Sequence, residues 1–274
     1  MAKTASNASV LQRGTGQRTL AKHDRFAFDI SGYLSLGSLV ASDQLKELRV
    51  AVDGAMETST AGSGASNDIE AVRIGPHLEL RNAVELGAPF RRLAAAPPIP
   101  GYLRELIWGN QVRLVGSRVL IRRPGAVSVL TQGGVADPHR YKRFRAFIEG
   151  EFRCLMVSLL FALDDVGADD GTIALVPASH KAQFAHPYEG LPPDQIPALR
   201  PLPLAAGQAV LFSENVSYSL LPVVSAARRW LLYQYGPSYV LDWPGCTPSA
   251  ATRAAAEQDG DSELGTLVRE PYYH

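Results

Sequence analysis

The chain has 274 residues, and its 27 lysine and arginine residues balance its 27 aspartate and glutamate residues. A chain without net charge has no bulk attraction to nucleic acid or to an anionic membrane, so neither is expected as a partner. Hydrophobic residues make up 46% and charged residues 20%, which excludes a wholly disordered protein. The only two cysteines, Cys154 and Cys246, exclude a disulfide scaffold and favour a reducing, cytoplasmic location.

The N-terminal part of the chain is predicted to be a flexible tail, a short strand and then a helix. Residues 1–24 are polar and lack the apolar segment of a secretory signal, although the absence of acid before Asp24 also fits an organelle transit peptide. The apolar and aromatic residues of 26–36 predict a strand entering the fold. Ser42 is a suitable N-cap for a helix over about 43–56, whose apolar residues recur at spacings of three and four.

Helices over 89–96 and 101–108 are predicted next, before the pattern changes to strands at residue 112. The predicted strands are 112–122, 127–131, 172–176, 209–212 and 230–235. The apolar run 154–163 fits a strand buried on both faces or, alternatively, a buried helix. Helices followed by strands indicate one β-sandwich or barrel with flanking helices. We expect this domain to span 25–245, with a peripheral helix and tail over 246–274.

Short motifs for common chemistries are absent, and one pair of residues remains as a candidate. The chain has no phosphate-binding glycine loop, zinc CxxC pair, GxSxG elbow or HExxH helix. Asp137 and His139 are two residues apart, so on an extended segment their side chains share a face. They could form a metal site or an acid–base pair, or simply belong to a proline-containing turn.

Three segments carry a family resemblance. Residues 163–181 read LDDVGADDGTIALVPASHK, residues 205–212 read AAGQAVLF and residues 228–237 read RRWLLYQYGP. In this order they resemble conserved segments of the phytanoyl-CoA dioxygenase family, over about residues 26–243. The resemblance implies a double-stranded β-helix, a jelly-roll barrel whose open mouth holds the active site.

The resemblance also implies an iron site made of two histidines and one carboxylate, with 2-oxoglutarate as the cosubstrate. Here the position of the first histidine falls on Thr131 or Gln132, that of the second falls on Tyr218, and the carboxylate is Asp137. Neutral hydroxyls and amides are poor iron(II) ligands, so no metal and no cofactor are expected. The alternative is an atypical iron site built on Asp137 and His139, with 2-oxoglutarate retained. His139 otherwise fits a pocket residue.

A further implication concerns Arg229, which occupies the position of the family's arginine for the distal carboxylate of 2-oxoglutarate. On a strand, Arg229 shares a face with Leu231, Tyr233 and Tyr235, and Arg228 points the other way. We expect Arg229 to reach into the barrel and bind an anion or a carboxylate of the protein; an ion pair without ligand is the alternative. Candidate pocket residues around the former metal site are Tyr218, Gln132, Asp137, Glu214 and Asn215, with Arg122 or Arg123 as a further residue that could face the cavity.

Three functions follow. The first is a small-molecule enzyme of secondary-metabolite type that performs isomerisation, cyclisation or elimination in the former oxygenase pocket. The second is a non-catalytic partner of an active homologue, as a heterodimer, and a homodimer is also compatible with the sequence. The third is an iron(II)- and 2-oxoglutarate-dependent oxygenase with an atypical metal site.

Overall fold

The computed structural model describes residues 20–60, 68–107, 111–132, 145–148, 151–182, 186–188, 190–258 and 262–272. The helices are α1 Lys22–Ser31, α2 Ser42–Thr60, α3 Ala88–Ala94, α4 Ile99–Leu106, α5 Ala250–Gln258 and α6 Ser262–Leu267. The first seven strands are β1 Tyr33–Ser38, β2 Glu70–Ile74, β3 His77–Arg81, β4 Val112–Arg122, β5 Thr131–Gln132, β6 Arg145–Ile148 and β7 Glu151–Cys154. The others are β8 Val157–Ala162, β9 Ile173–Leu175, β10 Arg200–Leu202, β11 Gln208–Ser213, β12 Ser217–Leu220 and β13 Arg228–Pro237.

Two antiparallel sheets form the barrel. The large sheet has the order β1-β11-β8-β13-β4-β3-β2, and the small sheet has the order β10-β9-β12-β5. β6 and β7 form a separate hairpin. From β4 onwards the chain passes repeatedly between the two sheets, as it does in a jelly roll. The predicted fold class, a double-stranded β-helix with flanking helices, is confirmed.

The start of the described chain differs from the sequence prediction. Residues 26–31 belong to α1 and are not a strand; the strand β1 begins only at Tyr33. Gly32 ends the helix in the left-handed conformation, with φ of 86°, and its N–H donates to the carbonyl of Phe28 at 2.7 Å. Alternating apolar residues indicated a strand here, but the glycine cap allows the helix and the strand to follow each other without a linker.

Within the predicted run 154–163, Val157–Ala162 form the strand β8 and Cys154 ends β7, so this run is not a helix. β8 lies between β11 and β13 in the large sheet, and all six of its residues are buried. A strand covered on both faces is apolar throughout. Periodicity alone therefore could not distinguish this strand from a buried helix. The predicted strand over 127–131 is wrong for residues 127–130: Val127 and Val129 are exposed, and strand pairing is limited to Thr131 and Gln132.

The two faces of the large sheet have different coverings. On β13, Leu231, Tyr233 and Tyr235 belong to the core beneath the helices. The hydroxyls of both tyrosines donate to carbonyls of α3, at 2.7 Å for Tyr233 to Phe90 and 2.8 Å for Tyr235 to Ala94. The helical layer therefore covers the outer face, and the alternate residues of β13 point into the barrel.

Apolar side chains fill much of the barrel interior. Trp230 and Leu232 of β13 pack with apolar side chains of both sheets. Their buried partners are Leu160, Ala162, Val166, Ile173, Leu175, Leu204, Val210, Phe212 and Val216. The C-terminal helices add Ala256 and Leu264 to the core outside the large sheet. Among the described residues, no helix combines the length and apolarity needed to cross a membrane.

Candidate active site

A group of buried polar side chains lies at one end of the barrel. β5 ends at Gln132 opposite Ser217, the first residue of β12, and we call this end the mouth. The opposite end, where β12 stops at Leu220 and β13 starts at Arg228, is called the base. Asp137 and His139 follow β5 in the chain and lie outside the described residues.

Glu214 is the central acidic group near the mouth. It lies between β11 and β12, and only 9% of the residue is exposed. Ser158 Oγ donates a short hydrogen bond to Glu214 Oε1, and Gln234 Nε2 donates to the same oxygen at 2.9 Å. Ser158 and Gln234 are direct cross-strand neighbours on β8 and β13. Within the described residues, Oε2 has no hydrogen bond and no cation pairs with the carboxylate.

Tyr218 is the phenol that takes the position of the second family histidine. It lies on β12 opposite Leu175 and Thr131, and its ring contacts Phe212 with centroids 5.0 Å apart. Burial and then the negative charge of Glu214 raise the pKa of Tyr218 well above its ordinary value. Tyr218 therefore keeps its proton at physiological pH and acts as a hydrogen-bond donor. We call Ser158, Glu214, Tyr218 and Gln234 the mouth cluster.

A charged wall lies beside the mouth cluster on β3 and β4. Glu79 Oε1 accepts from Arg81 Nε at 2.9 Å and lies 3.4 Å from Arg118 Nε. The Arg118 guanidinium lies over the Trp243 ring at 5.2 Å. Gly116 makes this packing possible, because a Cβ there would meet Trp243 Cδ1 at 2.7 Å and Gln234 Oε1 at 2.8 Å. The charge of Arg118 lowers the pKa of Tyr218 and that of Glu79 raises it, both less than burial and Glu214 do.

Arg229 does not face the barrel interior, and that part of the prediction is wrong. Its Nε and Nη2 donate to the two carboxylate oxygens of Asp164 at 3.0 and 2.8 Å, and its Nη1 donates to Asp53 of α2 at 2.7 Å. The predicted grouping with Leu231, Tyr233 and Tyr235 is correct, but this face packs under the helices. Arg229 therefore connects α2 to the sheet through protein carboxylates.

The other candidates occupy different places. Gln132 lies opposite Ser217, whereas Thr131 lies opposite Tyr218, so Thr131 is the cross-strand neighbour of the phenol. Arg122, buried at 6% exposure, reaches from β4 to the Leu220 carbonyl at the base. Arg123 is only partly buried and contacts the Pro76 carbonyl at 3.5 Å.

Sequence reasoning missed Ser158, Gln234, Glu79 and Arg118. A signal existed for the first two. Ser158 is the only polar residue between Leu155 and Ala162, and Gln234 interrupts the apolar residues of β13. A lone polar residue inside a buried strand needs a hydrogen-bond partner, so it marks a buried polar cluster.

Comparison with known proteins agrees with the fold described above. Residues 28–229 match the phytanoyl-CoA dioxygenase family. This chain is a member of that family. Among solved structures, HygX from Streptomyces hygroscopicus, crystallised with nickel and 2-oxoglutarate, is 20% identical with a TM-score of 0.69, over 82% of this chain and 90% of HygX. None of the curated proteins compared matches the chain.

Two structural neighbours come from nogalamycin biosynthesis, and both are described as non-heme and alpha-ketoglutarate dependent. The epimerase SnoN is 19% identical with a TM-score of 0.56, over 78% of this chain and 81% of SnoN. The carbocyclase SnoK is 18% identical with a TM-score of 0.59, over 87% of this chain and 93% of SnoK. At these identities the likeness establishes the shared fold of the phytanoyl-CoA dioxygenase family.

Two described residues differ from the ligands of iron and 2-oxoglutarate that the family resemblance implies, whereas Asp137 and His139 lie outside the described residues. Tyr218 offers a protonated phenol, a weak ligand for iron(II), where the family places an imidazole. Arg229, at the position of the cosubstrate arginine, is engaged by Asp164 and Asp53 on the outer face. On the inner face Trp230 is fully buried among apolar side chains. Within the described ranges, no three His, Cys, Asp or Glu residues are grouped as a metal site.

Proposed function

We propose that this member of the phytanoyl-CoA dioxygenase family has left iron and 2-oxoglutarate chemistry and catalyses a proton transfer on a small carbonyl compound. Glu214 is the general base and Tyr218 is the hydrogen-bond donor to the carbonyl oxygen. The observation that carries the proposal is a nearly buried carboxylate, held only by neutral donors, beside a phenol that stays protonated.

Glu214 is suited to accept a proton. Ser158 and Gln234 fix the carboxylate through Oε1, which leaves Oε2 for a substrate. Among the described residues no cation pairs with this carboxylate, so a substrate does not have to displace one to reach Oε2. General bases are held in this way, within hydrogen-bond reach of the group that they deprotonate.

Tyr218 is suited to stabilise the charge that then forms. When Glu214 removes a proton from the carbon next to a carbonyl, the C–H electron pair moves towards the carbonyl oxygen. A fixed O–H donor lowers the energy of the resulting enolate. Return of the proton to another carbon gives isomerisation, loss of a leaving group gives elimination, and attack of the enolate on a second carbonyl gives cyclisation.

The structural neighbours support a rearranging reaction in this barrel. An epimerase and a carbocyclase share the fold, although both are described as alpha-ketoglutarate dependent. In the proposed reaction this protein also rearranges its substrate, but it does so by direct proton transfer and without the cosubstrate. The charged wall of Glu79 and Arg118, with the Trp243 ring, supplies polar and stacking contacts for a substrate at the mouth.

The experiment is solvent-deuterium exchange. The purified protein is incubated in D2O with EDTA, without oxygen, against a panel of cyclic and polyketide-like ketones, and exchange at carbons next to the carbonyl is followed by NMR. We expect catalysed exchange for a subset of ketones. Glu214→Gln should abolish it, and Tyr218→Phe should slow it about 100- to 1000-fold, the usual effect of losing one oxyanion donor.

The matched control is Glu57→Gln, which removes an exposed carboxylate on α2 and should leave exchange unchanged. Two results would contradict the proposal. One is exchange that persists in Glu214→Gln. The other is near-stoichiometric iron in the unmodified protein together with consumption of 2-oxoglutarate, which would assign an atypical iron site to Asp137 and His139.

A further inference from the structure

A cavity of about 270 Å³ lies in the helical layer, outside the barrel. One wall is the start of α2, and the other is α3 with the residues that follow it as far as Pro97. Leu39 and Val40, just before α2, also line it. No residue of the mouth cluster belongs to these walls. At about 30 Å³ per water molecule the cavity has the room of about nine waters, so it can hold one small molecule.

The floor of the cavity is apolar. Val40, Leu48 and Leu93 are buried members of the core beneath the helices. Leu39 and Ala96 are partly buried and pack against the same core. Because burial of apolar surface is favourable, a ligand that fits this floor carries an aliphatic or aromatic group.

The two walls carry opposite charges. Glu47 on α2 and Arg92 on α3 both line the cavity and are exposed. Neither side chain forms a hydrogen bond or an ion pair with a described residue, so the two do not pair with each other across the cavity. Opposite charges held apart on two walls are complementary to a ligand that carries both a negative and a positive group.

Neutral polar groups of the walls fit the same ligand. Gln44 Oε1 accepts from the backbone N–H of Ala41 at 3.3 Å, which leaves the Gln44 Nε2 group to donate. The carbonyls of Ala95 and Pro97 accept no hydrogen bond from the described residues. Pro97 and Pro98 have no backbone N–H, so this part of the wall offers acceptors only. Each wall thus carries one donor for a carboxylate and one acceptor for an ammonium group.

We infer that the cavity between α2 and α3 binds a free α-amino acid with an apolar side chain. Arg92 and the Gln44 amide bind its carboxylate, Glu47 and the carbonyls of the α3 wall bind its ammonium group, and its side chain lies on the apolar floor. Bound there, the ligand connects α2 to α3, as Arg229 connects α2 to the large sheet. The site is separate from the mouth, and the inference stands without the acid–base reaction proposed there.

The test compares L-leucine with analogues that each lack one of its groups. 4-Methylpentanoate lacks the amine, 3-methylbutylamine lacks the carboxylate and glycine lacks the apolar side chain. Binding to the full chain is measured by calorimetry and by the rise in melting temperature, in EDTA at constant ionic strength. We expect leucine to bind, and each analogue to bind about tenfold more weakly because it loses a charged or an apolar contact.

Two variants test the charged walls. Glu47→Gln and Arg92→Gln should each weaken leucine binding about threefold to tenfold, between the effect of an exposed ion pair and that of a charged hydrogen bond. Glu47→Gln should also reduce the preference for leucine over 4-methylpentanoate, and Arg92→Gln the preference over 3-methylbutylamine. Both side chains are exposed, so both variants should fold. Glu57→Gln and Lys46→Gln remove exposed charges of α2 outside the cavity and should bind leucine as the wild type does.

Each other outcome overturns part or all of the inference. Absence of leucine binding, or equal leucine affinity in the wild type and both wall variants, shows that the cavity is not an amino-acid site. An amine or a carboxylate analogue that binds as tightly as leucine overturns the assigned ligand class. Glu214→Gln should bind leucine normally, and a loss of binding in this variant would place the ligand at the mouth instead. Leucine binding that is retained while ketone exchange is absent contradicts only the proposed function.

Discussion

Arg229→Ala tests the conclusion that this arginine joins α2 to the sheet. The substitution leaves Asp164, whose side chain is 15% exposed, with the backbone N–H of residue 229 at 2.9 Å and Arg49 Nε at 3.5 Å, but without the guanidinium of residue 229. Removing one partner of a fully buried pair costs about 3–5 kcal/mol, and an exposed pair contributes under about 1 kcal/mol. Because Arg229 is 19% exposed, we expect a loss of about 2–3 kcal/mol in the free energy of unfolding. At about 2–4 °C per kcal/mol, the melting temperature should fall by about 4–12 °C.

The pH dependence gives a second readout of the same contact. Burial acts to raise the pKa of Asp164, but the hydrogen bonds and charge of Arg229 outweigh it, and the net pKa is lowered. A carboxyl that is more acidic in the folded state stabilises the fold above its ordinary pKa of about 4, and this stabilisation is lost as the pH falls through the folded value. The difference between wild type and Arg229→Ala should therefore shrink between about pH 5 and pH 3.

The measurement is thermal or urea unfolding followed by circular dichroism. Asp53→Ala is the matched control, because it removes only the partner that is 56% exposed and should cost under about 1 kcal/mol. If Arg229→Ala is no less stable than Asp53→Ala at pH 7, or if its deficit persists unchanged at pH 3, the arginine does not hold α2 as described.

Three further outcomes are expected. Trp230→Ala should lower the free energy of unfolding, measured in urea, by about 3–5 kcal/mol, because it empties a fully buried volume. A loss below about 1 kcal/mol would show that the barrel interior around Trp230 is not tightly packed. The double variant Thr131→His/Tyr218→His should bind nickel or iron(II) in a metal titration, because the two positions are directly opposite each other. Tyr218→His alone is the control. Absorbance at 295 nm up to pH 11 should be the same for wild type and Tyr218→Phe, since the phenol keeps its proton; an earlier difference would show an accessible phenolate.

The sequence predicted the central strands and the family correctly because both depend on local signals. β8, β11 and β13 are buried strands with apolar runs bounded by turn residues. β2 and β3 were missed because each has only five residues and carries charged side chains, Glu70 and Arg73 on β2 and Glu79 and Arg81 on β3. Strands of three or four residues, such as β10 and β12, are too short for a period to be read.

The candidate site was predicted in part. Tyr218 and Glu214 were placed near the mouth from the family segments alone. The side of the sheet that Arg229 faces was not predictable. Both faces of β13 are buried, so the alternation of side chains shows which residues share a face but not which face is the inner one. Only the packing of α2 and α3 shows which face is the outer one.

The contact between Gly116 and Trp243 has a consequence for homologues of this protein. A side chain at 116 would displace the indole or the Gln234 amide, and Gln234 holds the Glu214 carboxylate. Positions 116 and 243 should therefore vary together: chains that carry a large aromatic residue at 243 should keep glycine at 116, and chains that gain a side chain at 116 should carry a smaller residue at 243. This pair offers a sequence marker for relatives that share the same mouth, independent of the residues at the implied metal site.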